Sequence, residues 1–157
     1  MRVLILDLDG TLWDHEDASR LVPPFTVNGN CVIDDYGEEL HLFPGVREFL
    51  EWASERFVIS IASWNVEDLV RPILEALEIW GYFRHPKIEG HPNKADMIRR
   101  TLEQLEIEGY EISEVIYVDD REIHLRDIRR SVPNVKFIQM WVDVKSFEEL
   151  KRKLEGL

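Results

Sequence analysis

Apolar positions along the chain recur with two different periods, and the two alternate. Val3–Leu6, Val58–Ala62, Val115–Val118 and Val135–Met140 are short, nearly continuous runs rich in Val and Ile. Such runs predict strands covered on both faces, as in a parallel sheet beneath helices. Lys87–Glu89 is a weaker candidate strand. Between these runs the spacing is helical. Val46–Glu55 puts Val46, Phe49, Leu50 and Ala53 on one stripe, and Ala95–Leu105 does the same with Ile98, Leu102 and Leu105. Ser146-Phe147-Glu148-Glu149 is a capping box that opens a helix through Leu154. Asn65 with Asp68 predicts the cap of a further helix, which Pro72 should kink or split. Asp119–Ser131 supplies the remaining crossover.

Alternating strands and helices build βαβ units. The fold class is therefore α/β: an open, mostly parallel sheet in three layers with helices on both faces. One stretch departs from this rhythm. Residues 14–43 carry the turn signals Pro23-Pro24, Asn28-Gly29-Asn30 and Asp34-Asp35-Tyr36-Gly37. The short runs Phe25–Val27, Cys31–Ile33 and Leu40–Leu42 between them predict a β-hairpin flap inserted into a single domain spanning 1–157.

Composition narrows the functional classes. The chain has 157 residues, enough for one domain with a real core. Its net charge of −12 argues against non-specific nucleic-acid binding, which needs a basic surface. No apolar run approaches the roughly 20 residues of a membrane span. The single Cys31 excludes an internal disulfide and a multi-cysteine zinc site, and reads as a small hydrophobe in the flap. The five histidines show no ligand spacing. A reducing, cytoplasmic setting is the default expectation.

In open α/β sheets ligands bind beyond the carboxyl ends of the strands. Strand one ends Asp7-Leu8-Asp9-Gly10-Thr11-Leu12-Trp13, and strand two ends Ala62-Ser63-Trp64-Asn65. His91-Pro92-Asn93-Lys94 precedes a helix, and the fourth main strand ends Val118-Asp119-Asp120. Carboxylates, a hydroxyl and an ammonium therefore converge on one sheet edge. Taken singly, these residues have plainer explanations. Ser63 can cap a helix, Asp119-Asp120 can form a turn, and a lysine such as Lys94 is common on surfaces.

With these residues in this order the sequence resembles the haloacid dehalogenase (HAD) superfamily of phosphatases and phosphotransferases. Asp-x-Asp-Gly-Thr after an apolar first strand is that family's first motif, and the match spans residues 3 to about 127. Trp13, the flap and the overall size look closest to the magnesium-dependent phosphatase branch. The resemblance implies a Mg²⁺ cofactor held by Asp7, Asp119, Asp120 and the backbone carbonyl of Asp9, with Asp120 favoured over Asp119 as direct ligand. It implies Asp7 as nucleophile, Asp9 as general acid and base, and Thr11, Ser63 and Lys94 as phosphate-binding groups. Asp119-Asp120 replaces the more frequent Gly-Asp-x-x-x-Asp, and the cap is small, so an open pocket for bulky phosphates is expected.

Elementary chemistry agrees with parts of this. Asp7 and Asp9 lie two apart on extended chain and leave the same face. An oxygen-only donor set suits Mg²⁺. A carboxylate attacking a phosphate meets like charge, about 4 kcal/mol for one unit pair at 4 Å and an effective dielectric near 20, so compensating cations are required. Trp13, Trp64 and Asn65 are candidate substrate contacts. The expected substrate is a phosphorylated small molecule or a phosphoprotein, carrying an aryl, protein-tyrosine or sugar phosphate. Phosphotransfer at the same site, and a non-enzymatic receiver-like phosphoacceptor, are the alternatives. Asp9-Gly10-Thr11 separates the chain from the latter, which has no acid/base two residues beyond its phosphorylated Asp.

Overall fold

The computed structural model describes residues 1–157. Five parallel strands form the central sheet: β1 (Arg2–Leu6), β6 (Val58–Trp64), β7 (Lys87–Glu89), β8 (Glu114–Asp119) and β9 (Lys136–Gln139). Their spatial order is β7-β6-β1-β8-β9. The chain moves outward from β1 to β7, then returns to the far side of β1 and moves outward again. The crevice between β1 and β8 is thus the point where strand order reverses, the place where doubly wound sheets bind ligands.

Alternate residues of the strands enter two separate cores. Leu4, Leu6, Ile59, Ile61, Ile116 and Val118 pack with α1 (Val46–Ser54), α2 (Glu67–Ala76) and α5 (Phe147–Glu155). Val3, Ile5, Ala62, Val115 and Tyr117 pack on the other face, against α3 (Lys94–Ile107) and α4 (Leu125–Ser131). Burial on both faces is why the strand sequences are continuous apolar runs rather than alternating ones.

Most helix boundaries follow the sequence signals. Ser146 caps α5 by accepting from the Glu149 amide at 3.1 Å, while the Glu149 carboxylate turns back to the Lys145 amide at 2.6 Å, one residue earlier than a standard box. Of the two outcomes expected at Pro72, a kink or a split, the split does not occur. Residues Glu67–Ala76 form one element with Pro72 inside it. Both Pro72 and Asp68, whose carbonyl loses its helical partner, lie on the exposed side, where water can take the freed acceptor. The predicted Asn65 cap is also corrected. Val66 occupies that position without a side-chain cap, and the Asn65 side chain accepts only from the adjacent Val66 amide at 2.8 Å while its NH₂ group donates to Asp9.

The insertion is larger than a hairpin. β2 (Trp13–Asp14), β3 (Thr26–Asn28), β4 (Cys31–Ile33) and β5 (Glu39–Leu42) form an antiparallel sheet in the order β2-β5-β4-β3. Trp13–Asp14 joins it because the chain, on leaving the turn after β1, pairs with β5 at Trp13 opposite Leu42 and Asp14 opposite His41. Leu40, Val32 and Trp13 face inward and continue the larger core, so the flap is anchored.

Asp34 holds the flap's distal turn. Its carboxylate accepts from the backbone amides of Val22, Glu38 and Tyr36 at 2.8–2.9 Å. The Val22 amide foremost, with help from Glu38 and Tyr36, holds its carboxyl below the usual range. That stabilisation is complete above the ordinary carboxyl range and is lost as pH falls through the lowered value. Asp34→Ala should therefore speed amide hydrogen exchange across residues 22–38 at neutral pH and leave the central sheet protected. Uniform loss of protection, or none, would contradict the assignment.

Candidate active site

Parallel register delivers the acids. Leu6 pairs with Val118 in β8, and the Asp7 amide donates to the Val118 carbonyl at 3.0 Å. Asp7 and Asp119 consequently emerge side by side at the crevice. Lys94, the first residue of α3, is almost fully buried and inserts between them. Its Nζ donates to Asp7 Oδ1 at 2.8 Å and to Asp119 Oδ2 at 2.9 Å. The Tyr117 hydroxyl also donates to Asp119 Oδ2.

One ammonium cannot neutralise three neighbouring carboxylates. Burial pushes Asp7 well above the usual carboxylate range; Lys94 opposes that shift, and the charge of Asp119 adds to it. Burial would raise Asp119 too, but Lys94 and the Tyr117 hydroxyl outweigh it and hold the group at about 2. Asp120 is raised by burial and by its neighbour Asp119. Burial works against the Lys94 charge, yet the flanking carboxylates outweigh it and raise its pKa. Carboxylate oxygens of Asp7, Asp119 and Asp120 all lie within 4.8 Å of one another. This excess of negative charge and the all-oxygen donors fit a hard divalent cation.

The turn after β1 sets the rest. Gly10 has φ +74°, and a Cβ there would meet Asp120 Oδ2 at 2.5 Å. The Trp141 indole donates to the Gly10 carbonyl at 2.8 Å and fixes the turn from the strand-β9 side. Thr11 departs from expectation. It is fully buried, its amide donates to the Leu8 carbonyl at 2.9 Å, and its hydroxyl accepts from the Asp120 amide at 3.0 Å. That hydroxyl lies 3.0 Å from Asp7 Oδ2 and 3.3 Å from Asp120 Oδ1. With these groups engaged, Thr11 ties the two acid loops together rather than facing a phosphate.

Trp13 is corrected in the same way. It is 0% exposed, so it cannot wall a pocket, and its indole donates to Asp9 Oδ1 at 2.8 Å. The Ala18 amide donates to the same oxygen at 3.0 Å, and the Asn65 amide to Asp9 Oδ2 at 2.8 Å. Burial raises the Asp9 pKa, and these three hydrogen bonds moderate the rise. Asp9 is thereby held by β2, by the 3₁₀ turn Ala18–Arg20 and by the end of β6.

Asp7, Asp9, Ser63, Trp64, Asn65, Lys94 and Asp120 line one cavity of about 700 Å³. Asp119 lies beneath it, fully buried. Trp64, at 50% exposure, stands at the mouth beside Val66. The flap contributes Asp14, His15, Glu16 and Asp17 to the rim, and Arg121 closes the β8 side. Sequence reading did not single out Tyr117, Trp141, Asp17 or Arg121. The acids Asp14, Glu16 and Asp17 were visible, but nothing in the sequence showed that this segment folds over the turn after β1.

Gly10→Ala should leave the fold intact and displace Asp120. A loss of about 100-fold in kcat is expected from such a misplacement. Activity equal to the parent would remove the close approach as a constraint.

Comparisons with known proteins agree with this fold. A HAD-superfamily hydrolase of subfamily IA from Geobacter sulfurreducens superposes with a TM-score of 0.65 at 16% identity, covering 100% of both chains. A haloacid dehalogenase-like hydrolase from Streptococcus pneumoniae gives 0.60 at 18% identity, covering 98% of this chain and 89% of the other. The N-terminal phosphatase-containing part of a Bacteroides fragilis protein, complexed with Mg, gives 0.61 at 22% identity, covering 97% of this chain and 39% of that one. No curated protein sequence matches the chain. The family model described as acid phosphatase matches residues 1–148, from the first strand of the sheet into its last helix. On that match the chain belongs to the acid phosphatase family, and it is a phosphoric monoester hydrolase with the haloacid dehalogenase fold.

Proposed function

We propose that the chain hydrolyses phosphomonoesters through an aspartyl-phosphate on Asp7, with Mg²⁺ as cofactor. The carrying observation is the placement of Asp7 on the cavity wall, 2.8 Å from the Lys94 ammonium and beside Asp120. The Mg-complexed state of the Bacteroides fragilis neighbour supports the choice of ion. Asp7 and Asp120 would hold Mg²⁺ directly, with the Asp9 carbonyl, and Asp119 would act from below. When bound, the ion offsets the negative charge of the acids and of the phosphoryl group.

The chain's own residues perform the remaining work. Lys94 and Ser63 orient the phosphoryl oxygens at the cavity wall. The Asp7 carboxylate attacks phosphorus in line and the P–O bond to the leaving group breaks. Asp9 gives its proton to the leaving oxygen, then takes one from the water that cleaves the Asp7–phosphoryl bond. Trp13, Ala18 and Asn65 keep the Asp9 carboxyl oriented between these steps. The small flap leaves the mouth open, and the half-exposed Trp64 ring offers a stacking surface, so aryl phosphates are the favoured substrate class.

Purified protein should release many phosphates per chain from p-nitrophenyl phosphate with Mg²⁺ and stop on chelation. A single phosphate per chain would instead mark a phosphoacceptor. Asp7→Asn should abolish turnover while the protein stays folded. Trp64→Ala should raise KM for aryl phosphates up to about tenfold, the scale of one ring-stacking contact, and leave glycerol phosphate unaffected. Equal effects on both substrates would remove Trp64 as a stacking surface.

A further inference from the structure

Outside the catalytic cavity, the outward face of the flap carries a second set of metal-competent side chains. Antiparallel pairing places Cys31 on β4 directly opposite His41 on β5, and Ile33 opposite Glu39. Period-two alternation turns Cys31, Glu39 and His41 to one face while Val32 and Leu40 enter the core. The three side chains meet above the sheet. Cys31 Sγ lies 3.7 Å from His41 Nε2 and 3.6 Å from Glu39 Oε1, and His41 Nε2 lies 3.9 Å from Glu39 Oε2.

We propose that Cys31, Glu39 and His41 form a binding site for a zinc-class divalent cation, separate from the catalytic acids. Tetrahedral coordination at ordinary Zn–S, Zn–N and Zn–O lengths requires donor atoms about 3.3–3.6 Å apart. The Cys31–His41 separation is within a few tenths of an ångström of that range, and one ligand oxygen of Glu39 lies within 4.8 Å of both donors, so closure on an ion needs rotation of the exposed Glu39 carboxylate and no movement of the strands. A sulfur, an imidazole nitrogen and a carboxylate oxygen suit Zn²⁺ or Co²⁺ and disfavour Mg²⁺, whereas the all-oxygen catalytic cluster has the opposite preference. Three protein ligands leave the fourth position to water. Binding releases the thiol proton to solvent.

The site has a defined place in the fold. Asp14 on β2 pairs with His41, so Asp14, His41 and Cys31 form one row across three strands on the same face. Asp14 also lines the catalytic cavity. An ion held by Cys31, Glu39 and His41 would clamp β4 to β5 one strand away from the cavity rim. The sequence concealed this set. Cys31 and His41 have no metal-ligand spacing along the chain, and only the hairpin register brings them together.

Co²⁺ titration of the full chain in excess Mg²⁺ tests the assignment independently of catalysis. A single equivalent should produce a near-ultraviolet sulfur-to-cobalt charge-transfer band and intense visible bands of tetrahedral cobalt, both displaced by Zn²⁺. Cys31→Ser should abolish the charge-transfer band, and His41→Ala should weaken Co²⁺ binding more than about tenfold. Asp7→Asn should retain both the spectrum and the affinity. Co²⁺ binding without a sulfur band, or a band that survives Cys31→Ser, would overturn the proposal.

Discussion

A buried ammonium shared by two carboxylates from different strands organises the molecule. Lys94 reaches Asp7 after β1 and Asp119 at the end of β8, so the ion cluster spans the switch point of the sheet. Burying three charges is costly unless each is paired and hydrogen-bonded. Here the pairing needs the β1–β8 register, the start of α3 and the Tyr117 hydroxyl in place together. Losing the register or the start of α3 leaves a buried charge without its partner, and losing the hydroxyl removes one hydrogen bond from the buried Asp119. The same cluster keeps an excess of negative charge, and that excess makes the site receptive to a divalent cation.

The flap serves this cluster from the opposite side. Its first strand delivers Trp13 and its 3₁₀ turn delivers the Ala18 amide, both to one oxygen of Asp9. Asn65, at the end of β6, takes the other oxygen. The proposed acid/base is therefore positioned by the insertion as much as by the sheet. The acids Asp14, Glu16 and Asp17 ring the mouth, so under the proposed function a phosphate would be drawn in by local cations and not by the overall field of a chain with net charge −12.

Much of the fold was legible because strands buried on both faces must be apolar throughout, and helices between them must carry a single apolar stripe. The candidate residues at the ends of β1, β6 and β8 were legible as a group, since acids and a hydroxyl at successive strand ends converge on one sheet edge although each alone has a plainer explanation. What escaped was whatever depends on side-chain direction. Trp13 and Thr11 stand next to site residues in sequence, yet the sharp turn at Gly10 sends both inward, to orient Asp9 and to bridge Asp7 and Asp120. Pro72 broke a local rule without breaking its helix because the lost bond faces water. The Cys31–His41 pairing depends on hairpin register, which turn signals suggest but do not number.

The central claim is that Asp7 itself carries the phosphoryl group. Rapid acid quench during turnover of p-nitrophenyl phosphate, followed by borohydride reduction and peptide mass spectrometry, reads this directly. Reduction of an aspartyl-phosphate yields homoserine, and the account predicts it at position 7 and nowhere else. Homoserine at position 9, 119 or 120, or none at any position while turnover proceeds, would contradict it.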